Sequence, residues 1–97
     1  HYLLQIVPAV AEQYLRWEEY DKGIELLTKT LPVLPDNREL VLMLGDFYYE
    51  KGDKGRAFEQ YTRYKMLGGT EERALERIRE SAPQEANSLE NDAGAQL

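Results

Sequence analysis

The chain is predicted to be all-α, built from antiparallel helix-turn-helix units with about five helices. Three observations carry that prediction. First, apolar side chains recur at helical spacing on both sides of a break: Leu44, Phe47 and Tyr48 before Gly52, then Ala57, Phe58 and Tyr61 after it. Second, the break reads as a stop followed by a start. Gly52 supplies the left-handed residue that closes a helix, and the Asp53 carboxylate can cap the next one. Third, Gly45 lies inside the first of these helices, where it costs about 1 kcal/mol against Ala. That cost predicts a neighbouring helix too close to leave room for a Cβ.

Residues 2–17 form the first predicted helix, with Leu3, Ile6, Val7, Val10, Tyr14 and Trp17 on one broad apolar stripe. Pro8 removes a backbone hydrogen bond inside it, so the helix is expected to be unbroken but bent, the alternative being a start near Val7. Asp21 is the expected cap of a second helix, Lys22–Leu31, whose buried face is Ile24, Leu27 and Leu31. Pro32 and Pro35 cannot continue it. Asp36 and Asn37 precede a third helix that runs to about Lys51, with Glu39 placed as a capping-box partner. The fourth spans Lys54–Leu67 and ends at Gly68 and Gly69. Glu71 and Glu72 then favour a new helix N-terminus through the helix dipole. This fifth helix, residues 71–81, has a narrow apolar seam of Leu75 and Ile78 and a charged outside, and Pro83 stops it.

The spacing Leu44-Gly45-x-x-Tyr48, Gly52, Ala57, Tyr61 resembles the tetratricopeptide repeat, a helix-turn-helix unit with a period of about 34 residues. One period earlier, Val10, Ala11, Tyr14, Gly23 and Leu27 stand where Leu44, Gly45, Tyr48, Ala57 and Tyr61 stand, alike in size and polarity. Pro35 falls where the family's pattern often ends. One period later, Leu75 and Ile78 repeat Val41 and Leu44. The resemblance implies repeats at about 4–37 and 38–71, with residues 71–81 as a terminal capping helix, stacked as a short right-handed superhelical solenoid. A solenoid end needs a charged outer face for solubility, which the fifth helix has. A domain of residues 1–82 is followed by residues 83–97. They contain Pro83, Asn87, Ser88, Asn91, Gly94 and only two Leu, too little apolar surface to offset the entropy of ordering, so they are expected to be a disordered acidic tail.

Charge and composition exclude several classes of function. The net charge is −6, which disfavours a nucleic-acid partner. There is no cysteine, so disulfides, thiolate metal sites and thiol catalysis are all excluded, and no metal site or cofactor is expected. No apolar run reaches the roughly 18 residues of a membrane span. The only histidine, His1, is terminal, and the two serines at 81 and 88 have no base to activate them, so no Ser-His-Asp arrangement is possible. Gly52-Asp53-Lys54-Gly55 lacks the Lys-Ser/Thr of a phosphate loop. The chain is expected to be no enzyme. It begins at His1 without Met and is read as a piece of a longer protein.

In the family the first helix of each repeat lines a concave groove. Carried across by register, the groove residues are Gln5, Glu12, Leu15 and Arg16, with Pro8, from the first helix, and Glu39, Leu42, Met43, Asp46, Tyr49 and Glu50 from the third. Arg73 and Arg77, with Glu76, come from the fifth. This reads as an apolar patch of Leu15, Leu42, Met43 and Tyr49 in an acidic surround, weighed against an ordinary mixed surface. Aromatic and Met anchors inside a polar rim are how interfaces are commonly built. The expected partner is another protein or peptide, neutral or basic. The family's carboxylate-clamp subtype is disfavoured, because Pro8, Glu12 and Met43 stand at its clamp positions. The alternative is a structural end-piece of a larger assembly, joined or self-associating through Tyr2, Leu3 and Ile6.

Overall fold

The computed structural model describes residues 2–81, with side chains described for residues 5–80; the expectations for Tyr2, Leu3 and residues 82–97 lie outside these. Five helices follow one another: α1 (Tyr2–Arg16), α2 (Tyr20–Thr30), α3 (Arg38–Lys51), α4 (Lys54–Met66) and α5 (Glu72–Ser81). Each packs on the next, and α1 also touches α3. The chain is therefore all-α with a repeat-like stacking of neighbours. Among the described residues no helix is long and apolar enough to cross a membrane.

The helix ends show why the chain turns where it does. After α3, Gly52 has φ 97°, and the amides of Gly52 and Asp53 donate back to Tyr49 O (3.1 Å) and Tyr48 O (2.9 Å). Asp53 then caps α4 by accepting from Arg56 N at 3.1 Å. The end of α1 has the same wiring at the matching positions. Glu18 and Glu19 donate to Leu15 O (3.1 Å) and Tyr14 O (2.9 Å), but the left-handed residue is Glu18, at φ 57°. The expected cap Asp21 is corrected. Helix α2 starts two residues earlier, at Tyr20, with Glu19 in the cap position and no side-chain capping bond. Asp21 lies in the first turn and instead reaches Lys51 Nζ at 2.6 Å. At α3 the cap is Asn37, whose Oδ1 accepts from Leu40 N at 3.1 Å. That places Leu40 three residues past the cap, so Glu39 is out of register for a capping box.

α1 runs unbroken through Pro8. Its apolar stripe is narrower than expected. Val7 and Ala11 are buried and Tyr14 is half-buried, whereas Ile6, Val10 and Trp17 are exposed. Burial needs a neighbour, and α2 and α3 cover only one side of α1. The core is formed by Val7 and Ala11 of α1, Leu27 of α2, Leu31 after it, and Leu40, Val41, Leu44 and Phe47 of α3. Ala57, Tyr61 and Tyr64 of α4 and Ala74 of α5 complete it. Gly45 has the predicted packing reason: a Cβ there would lie 2.7 Å from Cε1 of Tyr61. At the preceding crossing, a Cβ on Gly23 would run into the Phe47 ring.

Candidate functional site

The predicted groove residues divide into three groups. Gln5, Glu12, Arg16 and Glu39 are exposed, and Glu12 is paired with Arg16 in its own helix at 3.0 Å. Leu42 and Met43 do not form the expected surface patch. Leu42 is 8% exposed and belongs to the core, and Met43 is half-buried against it. The remaining residues, Leu15, Asp46, Tyr49, Glu50, Arg73 and Arg77, come together where α1, α3 and α5 converge.

Asp46 is the centre of that cluster and is buried rather than displayed. Its Oδ1 accepts from Tyr61 Oη (2.6 Å), Arg77 Nη1 (3.0 Å) and Arg73 Nε (3.3 Å), and its Oδ2 accepts from Arg73 Nη2 (2.7 Å). Arg77 Nη1 also donates to Tyr61 Oη at 2.8 Å. A buried carboxylate is costly unless charges and donors surround it, and here one carboxylate faces two guanidinium groups and a phenol. Burial pushes the Tyr61 hydroxyl well above its usual pKa, and its hydrogen bond to Asp46 pushes the same way, with Arg77 opposing. For Arg73, the hydrogen bond to Asp46 raises the guanidinium further.

Tyr49 is likewise engaged. Arg77 Cζ lies 3.9 Å and Lys54 Nζ 4.5 Å from its ring centroid, and its hydroxyl donates to Glu80 at 2.8 Å. By sequence, the arginines of α5 belong to its charged outer face and to the groove. The structure turns Arg73 and Arg77 inward, where they dock α5 on α3.

An open cleft of about 230 Å3 remains beside this network, lined by Leu15, Tyr20, Asp46, Glu50, Arg73 and Arg77. Tyr20 was missed as a site residue. Its signal was its place at the α1–α2 turn, which swings its ring onto Phe47 (centroids 6.5 Å apart, planes at 70°) and beside the cleft. A second cavity, about 290 Å3, lies between α1 and α2 and contains none of the predicted groove residues. Among the described residues no group of three His, Cys, Asp or Glu side chains gathers as a metal site would require.

Compared with family models and with curated proteins, the chain matches none of either.

Proposed function

We propose that the chain is a non-catalytic interaction module of tetratricopeptide-repeat type that binds a peptide or helix of another protein. The observation that carries this reading is the cleft itself. Four helices contribute to it, and it offers an apolar wall (Leu15, Tyr20) facing a polar one (Glu50, Arg73, Arg77). Binding sites on helical scaffolds combine those two kinds of surface, one for affinity and one for orientation. The recurrence of the same helix-end wiring after α1 and α3 supports the repeat assignment. The test is a pull-down with the wild-type chain and with Leu15→Glu, both verified as folded by circular dichroism. A partner retained by the wild type and lost by the variant supports the cleft. A partner kept by both moves the site elsewhere.

One observation favours a second reading, a structural end-piece joined through α1. Ile6 and Val10 are 46% and 37% exposed, while Leu40 and Leu44, at the matching positions of α3, are 0% and 3% exposed. Sedimentation of the wild type against Val10→Asp checks it. Concentration-dependent mass that disappears in the variant supports the joint.

A further inference from the structure

The cleft's donors and acceptors are not equally occupied. Asp46 accepts four hydrogen bonds, from Tyr61, Arg73 and Arg77, and Arg77 also donates to Tyr61, so the buried carboxylate is fully engaged by its own chain. Glu50 is different. Its side chain is 44% exposed, its nearest cation is Arg77 Nη2 at 3.7 Å, and among the described residues no hydrogen bond reaches its carboxylate. On the facing wall, the Tyr20 hydroxyl lies 3.5 Å from Glu18 Oε1. Partial burial raises the Tyr20 pKa, and the charges of Glu18 and Glu50 add to it, so both carboxylates act on this corner of the cleft. Arg77, already shared with Asp46, therefore meets Glu50 only at 3.7 Å, beside an apolar floor of Leu15 and Tyr20.

Resting on the reading of the cleft as a peptide site, we infer that it takes a cationic side chain of the partner, a lysine or an arginine. The alkyl stem lies along Leu15 and Tyr20, and the charged head donates to Glu50. A long cationic side chain suits such a place because its stem is apolar and its head is not. An acidic side chain would compete with Asp46 for arginines already paired to it, and it would leave Glu50 facing a like charge. The overall charge of −6 acts in the same direction at longer range.

The full chain is titrated, at low salt, with three ten-residue Ala/Leu peptides that differ only at a central arginine, citrulline or aspartate. Binding is followed by NMR through the Leu15 methyls and the Tyr20 ring. The expected result is saturable binding of the arginine peptide about tenfold tighter than the citrulline peptide, a gap that a single charge-assisted contact supplies. Glu50→Gln, a substitution at an exposed carboxylate, removes that gap without changing the fold. Equal binding of arginine and citrulline overturns the inference and leaves the cleft as a peptide site. Tightest binding by the aspartate peptide, lost in Arg73→Gln, also overturns it and leaves the cleft standing. If none of the three shifts Leu15 or Tyr20, both the inference and the cleft reading fall.

Discussion

The α1–α2 pair and the α3–α4 pair carry the same pattern, one period apart, yet they do not behave alike. α3 is held between α2 and α4, and its Leu40, Val41, Leu44 and Phe47 are all buried. α1 has neighbours on one side only, so Val7 and Ala11 are buried while Ile6 and Val10 are exposed. The side chains are alike in kind, and what differs is the number of helices around them. A repeat's sequence thus encodes faces, and only its place in the stack decides which faces become interior.

The joints differ as well. Where α3 meets α5, the buried Asp46 and Tyr61 join the half-buried Arg77 and the more exposed Arg73 in one polar network. At the matching positions of the preceding joint stand Glu12, Leu27, Glu39 and Met43. Glu12 bonds within its own helix, Leu27 is fully buried, and Met43 packs on the core. One joint is apolar and the other ionic, so the two should respond differently to pH and salt.

The largest expected effect tests burial. Leu44→Ala should destabilise the chain by about 2–5 kcal/mol, as for other core leucines. Val10→Ala, its counterpart, should cost less than about 1 kcal/mol, because much of Val10 is already in water. Urea unfolding at constant m-value measures both, and equal costs would break the comparison.

A smaller effect tests the ionic joint. The Tyr61 pKa is raised in the fold, so its neutral form is favoured there. Below pH about 10 both folded and unfolded chains keep the proton, and the contribution is complete. Above that, the unfolded chain ionises first, and stability is lost as pH rises toward the folded value. Tyr61→Phe should cost about 1.5 kcal/mol at neutral pH through the lost bond to a charged acceptor. It should also flatten the decline in the urea midpoint above pH 10. A decline of unchanged steepness in Tyr61→Phe would assign the alkaline loss to other groups.

The smallest effect sharpens the comparison at the turns. Glu18 holds the left-handed conformation that Gly52 holds without cost. Glu18→Gly should stabilise by about 1 kcal/mol, while Gly52→Ala should destabilise by a similar amount. Thermal midpoints of the two variants moving in the same direction would contradict the shared turn geometry.

The fold was largely legible because its signals are local: Gly52 followed by Asp53, Asn37 as a cap, Gly68 at φ 90°, and the spacing of Leu27, Leu31, Phe47 and Tyr61. The misplaced elements depended on what lies beside a residue. Ile6, Val10 and Trp17 have the spacing of a buried stripe, but no described helix covers them. Glu19 takes the cap position despite being a weak capping residue, since the turn after Glu18 fixes where the chain re-enters a helix. For the site, register placed Asp46, Glu50, Arg73 and Arg77 on one side of the stack. It could not show that Asp46 would be enclosed by two arginines and a tyrosine from other helices. The buried phenol of Tyr61 was the available clue, because a buried tyrosine hydroxyl usually finds a polar partner.

Trp17, the chain's only tryptophan, is 64% exposed at the end of α1. Its indole is already hydrated in the folded state, so its fluorescence should change little when the core melts. The same wavelength becomes an optical reporter for docking at this end of the molecule. A partner or second copy that covers α1 would shift the emission to the blue, whereas a peptide bound only between Leu15 and Glu50 would leave it nearly unchanged.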